Sequence, residues 1–84
     1  MNKIILKDST EIEFKKSDGL TLTMENITVD EVEKVLTEEN LKQVQISNDN
    51  VYGNYEKLEL ISITKIIKSS NVIIRLKEPT NIVQ

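Results

Sequence analysis

Residues 51–78 read VYGNYEKLELISITKIIKSSNVIIRLKE, two apolar, β-branched runs separated by Lys68-Ser69-Ser70-Asn71. Such runs on either side of a polar turn predict a long β-hairpin, and no other segment carries as much apolar weight. Within the first run Leu58 and Leu60 share a face, but Ile61 and Ile63 shift that face by one residue, and a second shift falls at Ile66-Ile67. A one-residue slip turns every side chain over, so the shifts predict β-bulges or a strand covered on both faces. In the second run Val72, Ile74 and Leu76 alternate with Ile73, Arg75 and Lys77, and Pro79 ends it. Upstream, Tyr52-Gly53-Asn54-Tyr55 reads as a break, and Ser47-Asn48-Asp49-Asn50 as a turn-rich loop.

Working outward, residues 41–47 form another strand, with Val44 and Ile46 inward. Before it, residues 28–40 hold the only credible helix. Thr28 and Glu31 fit a capping box, and Asp30 and Glu31 sit where the helix dipole favours negative charge. Val29, Val32, Val35 and Leu36 make one apolar stripe. Residues 3–16 predict a first hairpin that turns at Asp8-Ser9-Thr10. A second turn at Ser17-Asp18-Gly19 leads to a strand of Leu20, Leu22 and Met24. The expected fold is α+β, a mainly antiparallel sheet in the order β-β-β-α-β-β-β with one helix packed on a face. Its core would be Ile4, Leu6, Ile12, Phe14, Leu20, Leu22, Val32, Val35, Leu36, Val44, Ile46, Leu58, Leu60, Ile63, Val72, Ile74 and Leu76. The 84 residues make a single domain, 1–84, with 79–84 a frayed tail.

Composition narrows the chemistry. Hydrophobic residues make up 38% and charged residues 30%, as in a folded domain, while aromatics are only 4%, so the core is aliphatic. Cysteine and histidine are both absent. That excludes disulfides, thiolate or imidazole zinc sites, and every mechanism that uses a histidine base. No apolar run approaches the ~20 residues of a membrane helix. The N-terminus meets Lys7 and Asp8 before a signal-peptide core could form, so a cytoplasmic location is expected.

The net charge of −3 is uneven: residues 1–49 hold eleven acids and six bases, residues 50–84 three acids and five bases. Neither half offers the basic stripe with stacking aromatics that nucleic acid requires. Asn48, Asp49, Asn50 and Asn54 lack the spacing of a calcium loop and read as turn residues. Glu11 and Glu13 share a strand face, but a glycosidase pair needs a partner acid and a pocket aromatic, so they read as exposed strand residues. No enzyme activity, cofactor or metal is expected.

Two surfaces could bind a protein. Tyr52 and Tyr55, with Ile73 on the exposed side of the hairpin, would form an apolar contact, since tyrosine is favoured at interface hot spots. Glu33, Glu38 and Glu39, within a run of acids from Asp30 to Glu39, would instead form an acidic patch able to imitate nucleic-acid phosphates. Against these stand plainer roles: a tyrosine capping the core edge, and a solvated acidic helix face.

The segments KIILKDSTEIEF, VLTEENLKQVQI and VYGNYEKLELISI resemble small proteins encoded in the tail and lysis region of prophages from low-GC Gram-positive bacteria. Those proteins share an opening strand with a D-G-T turn, a helix ending in F/L-T-E-x-N, and a late Y-x-x-L-x-L strand. Here the matching residues are Asp8-Ser9-Thr10, Leu36-Thr37-Glu38-Glu39-Asn40 and Tyr55-Glu56-Lys57-Leu58-Glu59-Leu60. Ser9 replaces the glycine, and the family's C-terminal helical extension is missing, which leaves any role in particle attachment open. The resemblance implies no catalytic residue. Two readings of a phage protein-binding module follow: a tail-associated or assembly accessory protein that binds a phage structural protein and would be virion-associated, or, from the acidic run Asp30 to Glu39, an anti-CRISPR-like inhibitor that binds a host defence nuclease. Direct binding to nucleic acid or membrane is not expected. Self-association through the final strand is conceivable, with Lys65, Arg75 and Lys77 placed to oppose it.

Overall fold

The computed structural model describes residues 2–48 and 52–79. Alternation of apolar and polar residues at a period of two, which places one face on the core, builds most of it. Four short strands come first: β1 (Lys3–Ile5), β2 (Glu11–Glu13), β3 (Lys16–Asp18) and β4 (Thr21–Met24). A helix, α1 (Val29–Val35), and a 3-10 turn (Asn40–Lys42) follow, and then β5 (Gln43–Ser47), β6 (Tyr52–Glu56), β7 (Glu59–Ile66) and β8 (Asn71–Lys77). The class is α+β, as expected, and among the described residues the strand pairing is antiparallel, but the strands form two four-stranded sheets where one sheet was expected. The first is ordered β2-β1-β5-β6 and the second β3-β4-β8-β7.

Two strands exceed the sequence expectation, one at the expected turn Ser17-Asp18-Gly19 and one at the expected break Tyr52-Gly53-Asn54-Tyr55. Ser17 and Asp18 lie in β3, paired with Leu22 and Thr21, and the turn is displaced to Gly19-Leu20. Gly19 does take the positive φ, 60°, that a tight hairpin turn needs. Tyr52-Gly53-Asn54-Tyr55 is not a break but the body of β6, paired with β5 from Ser47↔Tyr52 to Gln43↔Glu56. Glycine and asparagine are poor strand formers in isolation, and cross-strand pairing overrides that preference.

The two extra strands explain the architecture. β2 runs into β3 through Phe14-Lys15, and the Lys15 N–H donates to the Thr23 carbonyl at 2.7 Å. β6 runs into β7 through Lys57-Leu58, where Lys57 takes φ 56° and the Leu58 N–H donates to the Leu41 carbonyl at 2.9 Å. Each edge strand of one sheet therefore continues into an edge strand of the other.

Within the stretch 51–78, Tyr52–Glu56 belongs to the first sheet, while the expected hairpin is formed by β7 and β8. Its first register shift is a bulge between Leu60 and Ser62, which leaves Ile61 exposed. No second bulge occurs at Ile66-Ile67, because Ile66 pairs with Asn71 and Ile67 already belongs to the loop, 88% exposed. The loop is residues 67–70, closed by the Ser70 N–H donating to the Ile66 carbonyl at 2.9 Å.

The helix is shorter than the sequence suggests. Its N-terminus is capped by the expected pair: Thr28 Oγ1 accepts from the Glu31 N–H at 3.1 Å and donates to Glu31 Oε1 at 3.1 Å, so the carboxylate meets the Thr28 hydroxyl instead of the Thr28 N–H of a full capping box. It ends at Val35 rather than near Asn40, because the Asn40 side chain folds back and donates to the Val35 carbonyl at 2.8 Å. That bond satisfies a carbonyl that a longer helix would have used internally.

One cluster of buried side chains joins both sheets and α1, centred on Ile4, Leu22, Val32, Val44, Val72 and Ile74. Every residue expected in the core is buried or packs against this cluster, and Met24 and Leu41 are buried in addition. Of residues 79–84, only Pro79, half-buried, is among the described residues.

Candidate protein-binding surface

Strand periodicity decides what the tyrosines do. Residues three apart on a strand point to opposite faces. Tyr52 stands at the start of β6, 63% exposed, while Tyr55 turns inward, half-buried against the core. The Tyr55 ring lies over Gly53, where an added Cβ would come within 2.9 Å of its Cε2. Tyr55 thus covers the core edge, and Gly53 leaves room for it. Ile73 belongs to the other sheet, half-buried between Thr23 of β4 and Thr64 of β7. Tyr52, Tyr55 and Ile73 are not gathered into one surface.

The acids 33, 38 and 39 are separated too. Glu33 is exposed on α1, but Glu38 and Glu39 lie beyond the helix end. The Glu39 carboxylate is held by the Lys42 ammonium at 2.8 Å and by that of Lys7. These bonds, first from Lys42 and then from Lys7, lower its pKa from 4.5 to about 2. Glu39 is therefore charged but already neutralised by two cations. Glu38 borders a hollow that also carries Lys42 and Lys57, so charge there is mixed.

The concentration of acid lies elsewhere, and tertiary packing makes it. A groove of about 450 Å³ runs between β2, the segment after β4 and α1. Glu11 and Glu13 of β2, Glu25, and Glu31 of α1 line it, above a half-buried floor of Ile12, Ile27 and Val35. Two of these acids have cationic partners: Lys3 donates to Glu11 at 3.0 Å, and Lys15 lies 4.0 Å from Glu25. Glu11 is thus offset by a cation much as Glu39 is, Glu25 more loosely, and the net negative charge of the groove rests mainly on Glu13 and Glu31. Glu31 accepts the Thr28 hydroxyl, and Glu13 has no ion pair among the described residues. Among the described residues no three acidic side chains converge as they would around a metal ion. The negative charge is spread along the groove, a distribution suited to a chain of cations.

In the sequence, Glu11 and Glu13 are neighbours on one strand face and Glu31 is a cap residue. Nothing local links them to Glu25, because the segments that border the groove are brought together only by the fold. Among the described residues no helix is long and apolar enough to cross a membrane. Compared with protein-family models, curated proteins and solved structures, the chain finds no match.

Proposed function

We propose that this chain is a non-enzymatic protein-binding module of phage or prophage origin that presents its acidic groove to a basic protein surface. The observation that carries the reading is the gathering of Glu11, Glu13, Glu25 and Glu31 around one apolar-floored groove. Spread carboxylates over an apolar floor complement lysine or arginine side chains, whose alkyl stems pack while their charges are met. A defence nuclease, whose basic site normally faces phosphates, is a partner of that chemistry, and inhibition by occupying the site is the corresponding action.

A second reading, a tail-associated or assembly accessory protein, is favoured by one observation, the 63% exposure of Tyr52 on a sheet edge. Affinity capture from host and phage-infected lysates at low and high salt separates the two. A nuclease captured only at low salt, and lost on combined substitution of the four groove glutamates by Gln, supports the first. A phage structural protein captured regardless of salt, and lost with Tyr52→Ala, would replace it with the second.

A further inference from the structure

Resting on the acidic-groove reading, we infer the manner of binding: an extended, lysine- or arginine-bearing segment adds to the free edge of β2 as a fifth strand of the first sheet. The hydrogen-bond register exposes this edge. The Leu6 N–H donates to the Thr10 carbonyl at 2.9 Å and the Phe14 N–H to the Asn2 carbonyl at 3.2 Å. In an antiparallel ladder such bonded pairs alternate with pairs whose main-chain groups point away. Ile4↔Ile12 is therefore the bonded pair between them, and Glu11 and Glu13 turn their N–H and C=O groups outward. β2 is the terminal strand of its sheet, and no described residue pairs with these groups. They open into the acidic groove, whose far wall is α1.

Charge selects the occupant. A second copy of β2 pairing antiparallel with the first would bring Glu11 and Glu13 against their own kind, which disfavours self-association here. A cationic strand meets Glu11 and Glu13 beside it and Glu25 and Glu31 across the groove, while its main chain bonds to β2. Main-chain bonds then supply affinity and the carboxylates supply selectivity.

The test uses the chain and a short, end-capped synthetic peptide of alternating lysine and valine. Binding is measured by calorimetry, and amide hydrogen exchange locates it. The expected result is saturable binding that slows exchange at the Glu11 and Glu13 amides. N-methylation of one alternate set of peptide nitrogens should weaken it roughly tenfold or more, the loss of two backbone hydrogen bonds, and methylation of the other set should not. Glu13→Pro removes an outward N–H that the fold does not use, and it should weaken binding more than Glu13→Gln, which removes charge alone. Binding that depends on salt and on the four glutamates, yet is indifferent to both methylated forms and to Glu13→Pro, would overturn strand addition and leave the acidic groove standing. Binding indifferent to the glutamates would overturn both. If the peptide does not bind at all, Glu11 and Glu13 serve only to keep the edge from pairing, and the inference fails.

Discussion

Ser9 is a serine held at φ 74°, and Lys57, Ser70 and Asn26 share the left-handed region. A Cβ there crowds the neighbouring carbonyl, and glycine escapes that cost. Ser9 is exposed and stands in the Asp8-Ser9-Thr10 turn, so Ser9→Gly should stabilise the fold by about 0.5–1 kcal/mol in urea unfolding. An unchanged or lower midpoint would place the turn outside that region in solution. Glu39 offers a pH test. Its pKa is lowered from 4.5 to about 2, so the stability it contributes is present above pH 4.5 and is lost as pH falls towards 2. Asp8, held low by the Thr10 hydroxyl and N–H, acts in the same direction. The effect is modest, since these are exposed groups screened by salt. Thermal melts across that interval should show a flatter acid decline for Glu39→Gln than for the parent chain. Parallel curves would mean that the Lys42 and Lys7 contacts are worth nothing in water.

At the scale of elements, α1 depends on what receives its ends. Seven residues are too few for a helix to persist alone in water, so caps and docking decide. Thr28 closes the N-terminus as its sequence indicates. Asn40 closes the other end from five residues beyond Val35, and the same amide donates to Asp8 Oδ2 at 3.2 Å while the Lys7 N–H donates to the Asn40 carbonyl. One side chain thus ties the helix to the β1–β2 turn. Asn40→Ala should cost about 1–2 kcal/mol, because the partly buried Val35 carbonyl loses its partner. Chemical denaturation checks the magnitude, and hydrogen exchange should show α1 amides opening before those of β8. A loss under a few tenths of a kcal/mol would mean that water replaces the amide.

At the scale of the whole molecule, stability comes from one mainly aliphatic cluster, with Phe14 its buried aromatic, and no disulfide supports it. Ile74, fully buried, pairs with Leu22 on one side and Ile63 on the other, at the centre of the second sheet. Ile74→Ala should cost about 3–4 kcal/mol, a large part of the stability of so small a domain. Because the cluster joins both sheets, the loss should appear as one lowered transition, seen alike by near- and far-UV circular dichroism. Two separate transitions would mean that the sheets fold independently.

The α+β class, the antiparallel hairpins, the helix start at Thr28 and the membership of the core were legible in the chain, because burial imposes its period on every strand and helix face. Even the bulge near Ile61 was written there as a broken alternation. Only the tertiary structure decided that Tyr52 and Tyr55 face opposite ways, that β2 and β6 bend on into a second sheet, and that α1 stops at Val35. Each depends on a pairing that hydrophobic period alone does not reveal: β5 for the tyrosines, Thr23 and Leu41 for the bends, the Asn40 side chain for the helix. The acidic groove is of the same kind. Glu11, Glu13, Glu25 and Glu31 carry no spacing that links them, and they meet because the apolar residues beneath them pack together.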